Sequence, residues 1–349
     1  PVVNRTVYIL TADGQRVLVA TPTGLVAESL DGGQNWTARL GIAGLQLRRI
    51  RFDPRRPDVA YVTAQGGVLR LPAPGQGFEP VPAFNNLNVQ DFAADPNEAD
   101  LLFASDFNFG LVRSLDGGAT REFVGQGLPF AGGYTLLALA GTSPRLLVGA
   151  AGTGVFVSTD RGETVRLSSA GLNGADALSL AVDRATAGRA FASVAGGGMF
   201  RTLNGGDSWT ESRSGLFQVR PSVVLIDPAD PNRLYSGSIN PFDSFDGALA
   251  RSDDGGATWT SPTIGTAVRA LALHPTDGNT VWLGTDAGQF GNLSSLFLSR
   301  DRGANFTQRV GDTNILLGRD VLDIAVDPTN PSNVYVISDT AAFSEFLFS

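Results

Sequence analysis

The residues that could carry chemistry are few. Asp91 and Asp323 are carboxylates set in otherwise apolar, alternating segments, and Arg49 and Arg51 occupy a similar segment. Paired carboxylates at a set separation hydrolyse glycosidic bonds, one as acid and the other as base or nucleophile. A general acid at neutral pH needs a carboxyl kept protonated by its surroundings, and the sequence shows no feature that would do so here. The sole histidine, His274, stands where related segments carry the aspartate of an Asp-Pro turn, so it is read as a turn residue. Serine–histidine catalysis and histidine-based metal sites are thereby excluded. There is no cysteine, hence no thiolate nucleophile, disulfide or zinc–thiolate centre. Glycine-rich phosphate-binding signatures are missing, and no cofactor is expected. Asp243 and Asp246 lie close together, but their spacing lacks the order of a calcium loop, so no metal site is assigned.

Composition bounds the rest. A chain of 349 residues with 42% hydrophobic and 17% charged residues can bury a large core. The net charge of −8 argues against nucleic acid as a partner. No apolar run approaches the roughly 18 residues of a membrane span. All 26 basic residues are arginine, which is read as genomic base composition because they form no basic cluster. The chain starts at Pro1 without a methionine or a leader-like segment, as a mature or trimmed form would.

The elements that must position these side chains come as a repeat. SLDGGQNW starts at Ser29, with Asp31, Gly33 and Trp36. The pattern returns at Ser114 (Asp116, Gly118), Ser158 (Asp160, Gly162), Thr202 (Asn204, Gly206, Trp209), Ser252 (Asp254, Gly256, Trp259) and Ser299 (Asp301, Gly303, Phe306). A worn copy from Leu71 keeps Gly75 and Phe78, and the copy at Ser114 has its aromatic displaced to Phe123. These starts lie 42 to 50 residues apart. A second motif keeps the same beat: an apolar segment, an Asp-Pro-type turn, then a second apolar segment, as in FDPRRPDVAYVTA from Phe52. Eight copies occur, the loosest being at Thr11, Gly141 and Val182. A third apolar segment leads into each box and a short fourth follows it. Four short strands in about 45 residues make a propeller blade.

The chain therefore reads as all-β: one β-propeller domain over 1–349, built of four-stranded antiparallel blades. Eight blades are favoured, seven being the alternative, and the last blade is incomplete at the C-terminus. Pro1–Thr6 could supply its missing strand, although they run into the first strand with almost no loop. Within each box the Ser and Asp side chains bond their own turn and the Gly supplies positive φ. The following Trp or Phe plugs the space between neighbouring sheets. Seven such turns dispersed on an outer rim cannot converge on a ligand.

The box resembles the Asp-box, or BNR, repeat family, which includes sialidases, xyloglucan-hydrolysing enzymes, sortilin luminal domains and photosystem II assembly factors. The resemblance covers nearly the whole chain and implies a secreted or periplasmic location. It implies no single activity, because the fold hosts several. Sialidase-like chemistry needs an arginine triad and a Tyr/Glu pair, yet four of the five tyrosines sit in strand repeats, leaving Tyr134. The family's Phe-Arg-Ile-Pro signature is absent. The xyloglucan-hydrolysing relatives use a cleft between two propellers, and only one fits here.

Stacking the innermost segments places Ile9, Asp91, Leu139, Ser179, Val223, Ala270 and Asp323 at the position of Arg49. Two residues on, Arg51 is matched by Thr11, Ala93, Gly141, Ala181, Leu225, Ala272 and Ala325. Arg49, Arg51, Asp91 and Asp323 thus interrupt a small or apolar lining near the axis. They form either an ion pair between adjacent blades, such as Arg49–Asp91, or a polar pocket that anchors a partner. Long loops between second and third strands offer Phe242, Asp243, Phe245 and Asp246, then Phe290, then Phe343, on the face opposite the boxes. These are a recognition surface, or rings tucked back over their own blades. The functional expectation is a non-catalytic platform that binds another protein, or a subunit of an extracytoplasmic assembly. The alternative is a carbohydrate-active protein, hydrolytic or lectin-like.

Overall fold

The computed structural model describes residues 8–11, 15–20, 24–41, 47–128, 134–139, 145–150, 152–168, 170–172, 177–183, 185–195, 197–216, 221, 223–238, 249–262, 264, 267–285, 296–309, 320–339 and 344–348. The architecture is a β-propeller whose blades are antiparallel sheets of three or four strands. Among the described residues the strands form eight such sheets, here numbered in chain order: sheet 1 (8–41), 2 (47–80), 3 (89–124), 4 (134–167), 5 (177–211), 6 (223–252), 7 (268–308) and 8 (321–348). Within each sheet the strands lie in sequence order, as a meander. Sheets 6 and 8 have three strands, the third of sheet 8 being Ser344–Phe348. The closure expected from Pro1–Thr6 falls outside the described residues.

The first strand of every sheet is the innermost. Leu47–Phe52 of sheet 2 packs against Val89–Ala94 of sheet 3, and that strand against Tyr134–Leu139 of sheet 4. The series continues round to Val321–Val326 of sheet 8, which meets Tyr8–Thr11 of sheet 1. Second strands are buried along their whole length, as in Ala60–Ala64 and Leu102–Asp106, because both sheet faces are covered by neighbours. Their continuous Val, Leu and Phe content follows from that double burial.

Strand pairing corrects two of the stacked positions. Arg49 faces Thr63, three residues after the residue paired with the start of the box. By the same rule the Arg49 position is held by Tyr8, opposite Ala20, and by Thr135, opposite Gly149. Ile9, Leu139, Thr11 and Gly141 therefore do not belong to the two axial positions. Counting back from the turn fails here because these hairpins are closed by five residues (12–16 and 140–144), where sheet 2 uses seven (53–59).

The boxes join third to fourth strands on the outer side, at the end of the sheets where the first hairpins also turn. Each is a closed hydrogen-bonded loop. Ser29 Oγ donates to Asp31 Oδ1 at 2.8 Å and accepts the Gly33 N–H at 2.7 Å. Asp31 in turn accepts the Asn35 N–H at 2.8 Å. Ser114, Ser158, Thr202, Ser252 and Ser299 repeat the Ser-to-Asp or Thr-to-Asn bond at 2.7–2.8 Å. They likewise accept the N–H of Gly118, Gly162, Gly206, Gly256 and Gly303 at 2.8–2.9 Å. At Gly206 (φ 94°) an added Cβ would come within 2.7 Å of Leu147 in the preceding sheet, so glycine is required twice over.

The plugs lie between sheets, as expected. Trp209 sits with Leu147, Val155 and Val157 of sheet 4, and its indole N–H donates to Ser168 Oγ at 3.2 Å. Trp259 repeats this against sheet 5, bonding Ser212 Oγ at 3.2 Å. Phe306 packs on sheet 6, Trp36 on sheet 8, and Phe78 of the worn copy on sheet 1. Sheet 3 departs. Arg121 stands at the plug position, Phe123 is 55% exposed, and the space is filled from sheet 2 by fully buried Phe84 on the 3-10 turn Pro82–Phe84.

Arginines tie sheets 1 to 7 in series, each to the next. Arg16 donates to the Asp58 carbonyl at 2.7 Å, Arg113 to Arg161 at 2.9 Å and Arg145 to Gly205 at 3.1 Å. Arg189 reaches the Pro231 carbonyl at 2.6 Å, Arg201 reaches Gly255 at 3.0 Å, and Arg233 reaches Gly278 at 3.2 Å. Arg251 donates to the Arg302 carbonyl at 2.8 Å, and Arg55 to that of Asn97. Every acceptor lies in a turn of the following sheet. The all-arginine usage, read from sequence as base composition, therefore has a structural employment.

Candidate functional site

Arg49 and Arg51 point the same way because side chains two apart share one face of a strand. Both face Asp91 on the inner strand of the next sheet. Arg51 Nη2 contacts the two carboxylate oxygens of Asp91 at 3.2 and 3.3 Å, while Arg49 Nε is 3.9 Å from Oδ1. The Asp91 side chain is 2% exposed, against 35% for Arg49 and 37% for Arg51. Asp91 Oδ1 also accepts the Phe92 N–H at 2.8 Å, and the Asp91 N–H donates to Ser105 Oγ at 3.1 Å. The ion-pair reading thus describes these three residues. Among the described residues two guanidinium groups serve this one carboxylate.

Asp323 is the odd member. It occupies the same register and makes the same local bond, accepting the Ile324 N–H at 3.0 Å. Its strand, however, lies between those of sheets 7 and 1, whereas Asp91 lies between sheets 2 and 4. The two aspartates do not stand on neighbouring strands, and neither lines the cavity described next.

A cavity of about 570 Å³ lies where the inner strands of sheets 2, 3, 5 and 6 run into their first turns. Its walls are apolar: Phe52, Phe92, Leu180, Val224, Leu225 and Ile226. Among the described residues Arg51 is the one basic side chain lining it. Asp183 and Asp227 also contribute, but each is held by an arginine, Arg189 or Arg233. The well is therefore greasy, with a cation half-exposed inside it. It lies at the box end of the sheets, not at the end carrying the long loops. Arg51 and the apolar residues of these strands are legible in the sequence, but the volume they enclose is not.

The remaining candidates divide in two. Phe242, Asp243, Phe245, Asp246 and Phe290, with Phe343, lie outside the described residues. Every box aspartate is committed to its own turn. Asp31 is held at about 2 by the Asn35 N–H, the Asn35 amide and Ser29. Asp301 is likewise held at about 2, led by the Asn305 side-chain amide. His274 does the work of the missing turn aspartate, its Nδ1 accepting the N–H of Asp277 at 2.8 Å and of Thr276 at 3.2 Å. Among the described residues no group of three or more His, Cys, Asp or Glu could hold a metal ion. Among the described residues no helix is long and apolar enough to cross a membrane.

One exposed cluster escaped the sequence reading. The tight loop of sheet 3 between second and third strands carries Phe107 and Phe109, 51% and 57% exposed. The Phe109 ring lies 5.3 Å from that of Phe123. The signal was present in DFNFG from Asp106, but loop length was the criterion, and this loop is short.

Comparison with known proteins places the fold. Neither a protein-family model nor a curated protein matches the chain. Among solved structures, YCF48 bound to a D1 peptide is 17% identical, with 96% of this chain and 91% of that one covered and a TM-score of 0.56. The computationally designed Ika8 protein is 11% identical, covering 98% and 95%, at a TM-score of 0.65. The extracellular domain of a putative hybrid two-component system from B. thetaiotaomicron is 15% identical, covering 97% of this chain and 52% of that one, at 0.57. At these identities the likeness establishes the propeller fold alone.

Proposed function

We propose that the protein is a binding propeller that holds a peptide segment of another protein, with the axial well as the receiving site. The observation that carries this reading is the well itself: apolar walls around half-exposed Arg51, which with Arg49 faces a single carboxylate among the described residues. Such a site suits an apolar segment bearing a carboxylate, because burial of apolar side chains supplies affinity and the guanidinium fixes orientation. The D1 peptide bound by structurally similar YCF48 supports a peptide as the ligand class. The hydrogen-bonded Ser-Asp-Gly turns support counting the chain with the Asp-box proteins. An extracytoplasmic site of action belongs to the same reading and rests on that resemblance.

Catalysis is not part of the proposal. Asp91 is buried, bonded by Arg51 and by the Phe92 N–H, and the other candidate carboxylate is not on an adjoining strand. The test is to isolate partners from the native source with the wild-type protein and with Arg51→Met. A specific partner, lost or about tenfold weaker with Arg51→Met, is expected, since a charge-assisted bond is worth roughly 1.5–3 kcal/mol. Hydrolysis of a glycan panel by the wild type, abolished by Asp91→Asn, would overturn the reading.

A further inference from the structure

The aromatic cluster of sheet 3 is independent of the axial well and is built rather than accidental. Asp106, fully buried, accepts the N–H groups of Asn108 and Phe109, both at 2.8 Å. The Phe107 N–H donates to the Asn88 carbonyl at 3.0 Å. The two rings are thus presented on a fixed loop. Phe123 lies two residues beyond the plug position, which Arg121 occupies, at a register where Leu167 and Glu211 of other sheets are also exposed.

Phe123 also lies on Glu122–Val124, the edge strand of its sheet. Edge strands offer unpaired backbone groups, and proteins blunt them with charge or proline. At the register of Phe123 the other sheets carry Ala38, Pro80, Leu167, Glu211 and Gln308. Sheet 3 places its apolar ring there. Leu115, 46% exposed, follows the far end of the neighbouring strand. The flanking charges are spent inside the molecule: Arg121 Nη1 donates to the Asn85 carbonyl at 2.9 Å, and Glu122 accepts from Arg113. The Arg121 guanidinium also lies 5.5 Å from the Phe123 ring centroid.

We propose that this edge is a second docking site, taking an extended segment of another protein, apolar at alternate residues, as an added strand beside Glu122–Val124. Main-chain bonds would supply pairing, and Phe109 and Phe123 would receive the side chains on one face. A second copy of this chain fits less well. Three half-exposed phenylalanines and one leucine present roughly 400 Å², about half of the ~800 Å² per partner that a stable dimer buries.

A display library of random peptides, selected on the full chain, tests this. An enriched peptide is then synthesised and titrated against wild type, the double variant Phe109→Ser/Phe123→Ser, and Arg51→Met. Both rings are exposed, so the double variant is expected to melt as the wild type does. Enriched peptides should alternate apolar and polar residues, bind the double variant about tenfold or more weakly, and be indifferent to Arg51→Met. Methylation of alternate backbone nitrogens should abolish binding. The proposal fails if no such peptide is enriched, if the methylated peptide binds equally, or if the double variant binds as the wild type does. A wild-type dimer in sedimentation, dissolved by the double variant, would assign the edge to a second copy and overturn it. None of these outcomes depends on what the axial well holds.

Discussion

Replacing Trp209 by alanine tests the claim that the repeat works by plugging one sheet against the next. Trp209 is 3% exposed, packed on Leu147, Val155 and Val157 across the sheet boundary, and hydrogen-bonded to buried Ser168. Burying about 200 Å² of indole at about 25 cal/mol per Å² gives about 5 kcal/mol as an upper bound, because denatured chains already bury part of that surface. Truncation of core tryptophans costs about 3–5 kcal/mol, and about 4 is expected here. With an unfolding entropy of about 2.1 cal/mol/K per residue over 349 residues, the melting temperature should fall by about 5–6 °C. Trp209→Phe keeps most of the volume and loses the indole bond, so about 1 kcal/mol should go. The control is Phe123→Ala, the displaced aromatic of sheet 3, which should change stability by less than about 0.5 kcal/mol. Calorimetry of the three variants decides. Equal losses from Trp209→Ala and Phe123→Ala would refute the plug argument.

Further outcomes are expected. The box carboxylates Asp31 and Asp301 have folded pKa values near 2, below the unfolded aspartate value of about 3.9. Their contribution is therefore present above about pH 4 and lost as pH falls towards 2. Urea midpoints measured across that window should fall less steeply in Asp31→Asn/Asp301→Asn than in the wild type. A parallel fall would show that these turns do not govern acid stability. Gly206→Ala should destabilise by about 2 kcal/mol or more, since it meets both a positive φ and Leu147. Thermal melts check this, and a neutral result would remove the steric argument.

The fold was legible because its signals repeat. One Ser-x-Asp-x-Gly turn means only a hairpin, but its return every 42 to 50 residues leaves few architectures. The plug role of Trp209, Trp259 and Phe306 followed from their place after that turn. What failed was counting across unequal turns, which misplaced Ile9 and Leu139. The Arg49–Arg51–Asp91 cluster was visible as charge in an apolar register. The cavity beside it was not, because void volume depends on how sheets from opposite sides of the axis fail to meet. Phe123 was visible as an aromatic out of step, yet that Phe84 from another sheet takes the plug's place was not.

Arginine suits the sheet-to-sheet links by its geometry as well as by its charge. Arg233 gives its Nε to Asp253 at 2.9 Å, one Nη to both Asp227 and the Gly278 carbonyl at 3.2 Å, and the other Nη to Asp230 at 3.3 Å. These acceptors are spread along the fork of the guanidinium and belong to two sheets. A lysine ammonium brings its three donors to one point and cannot reach them together. Arg233 and Asp227 are both buried, so removing the cation leaves an uncompensated carboxylate, and Arg233→Met should cost about 3–5 kcal/mol. Arg233→Lys should keep the charge but lose the spanning geometry, recovering less than about half of that loss. If lysine restored wild-type stability, charge alone would suffice at this position. The preference for arginine at these sheet-to-sheet links would then have no basis in the structure.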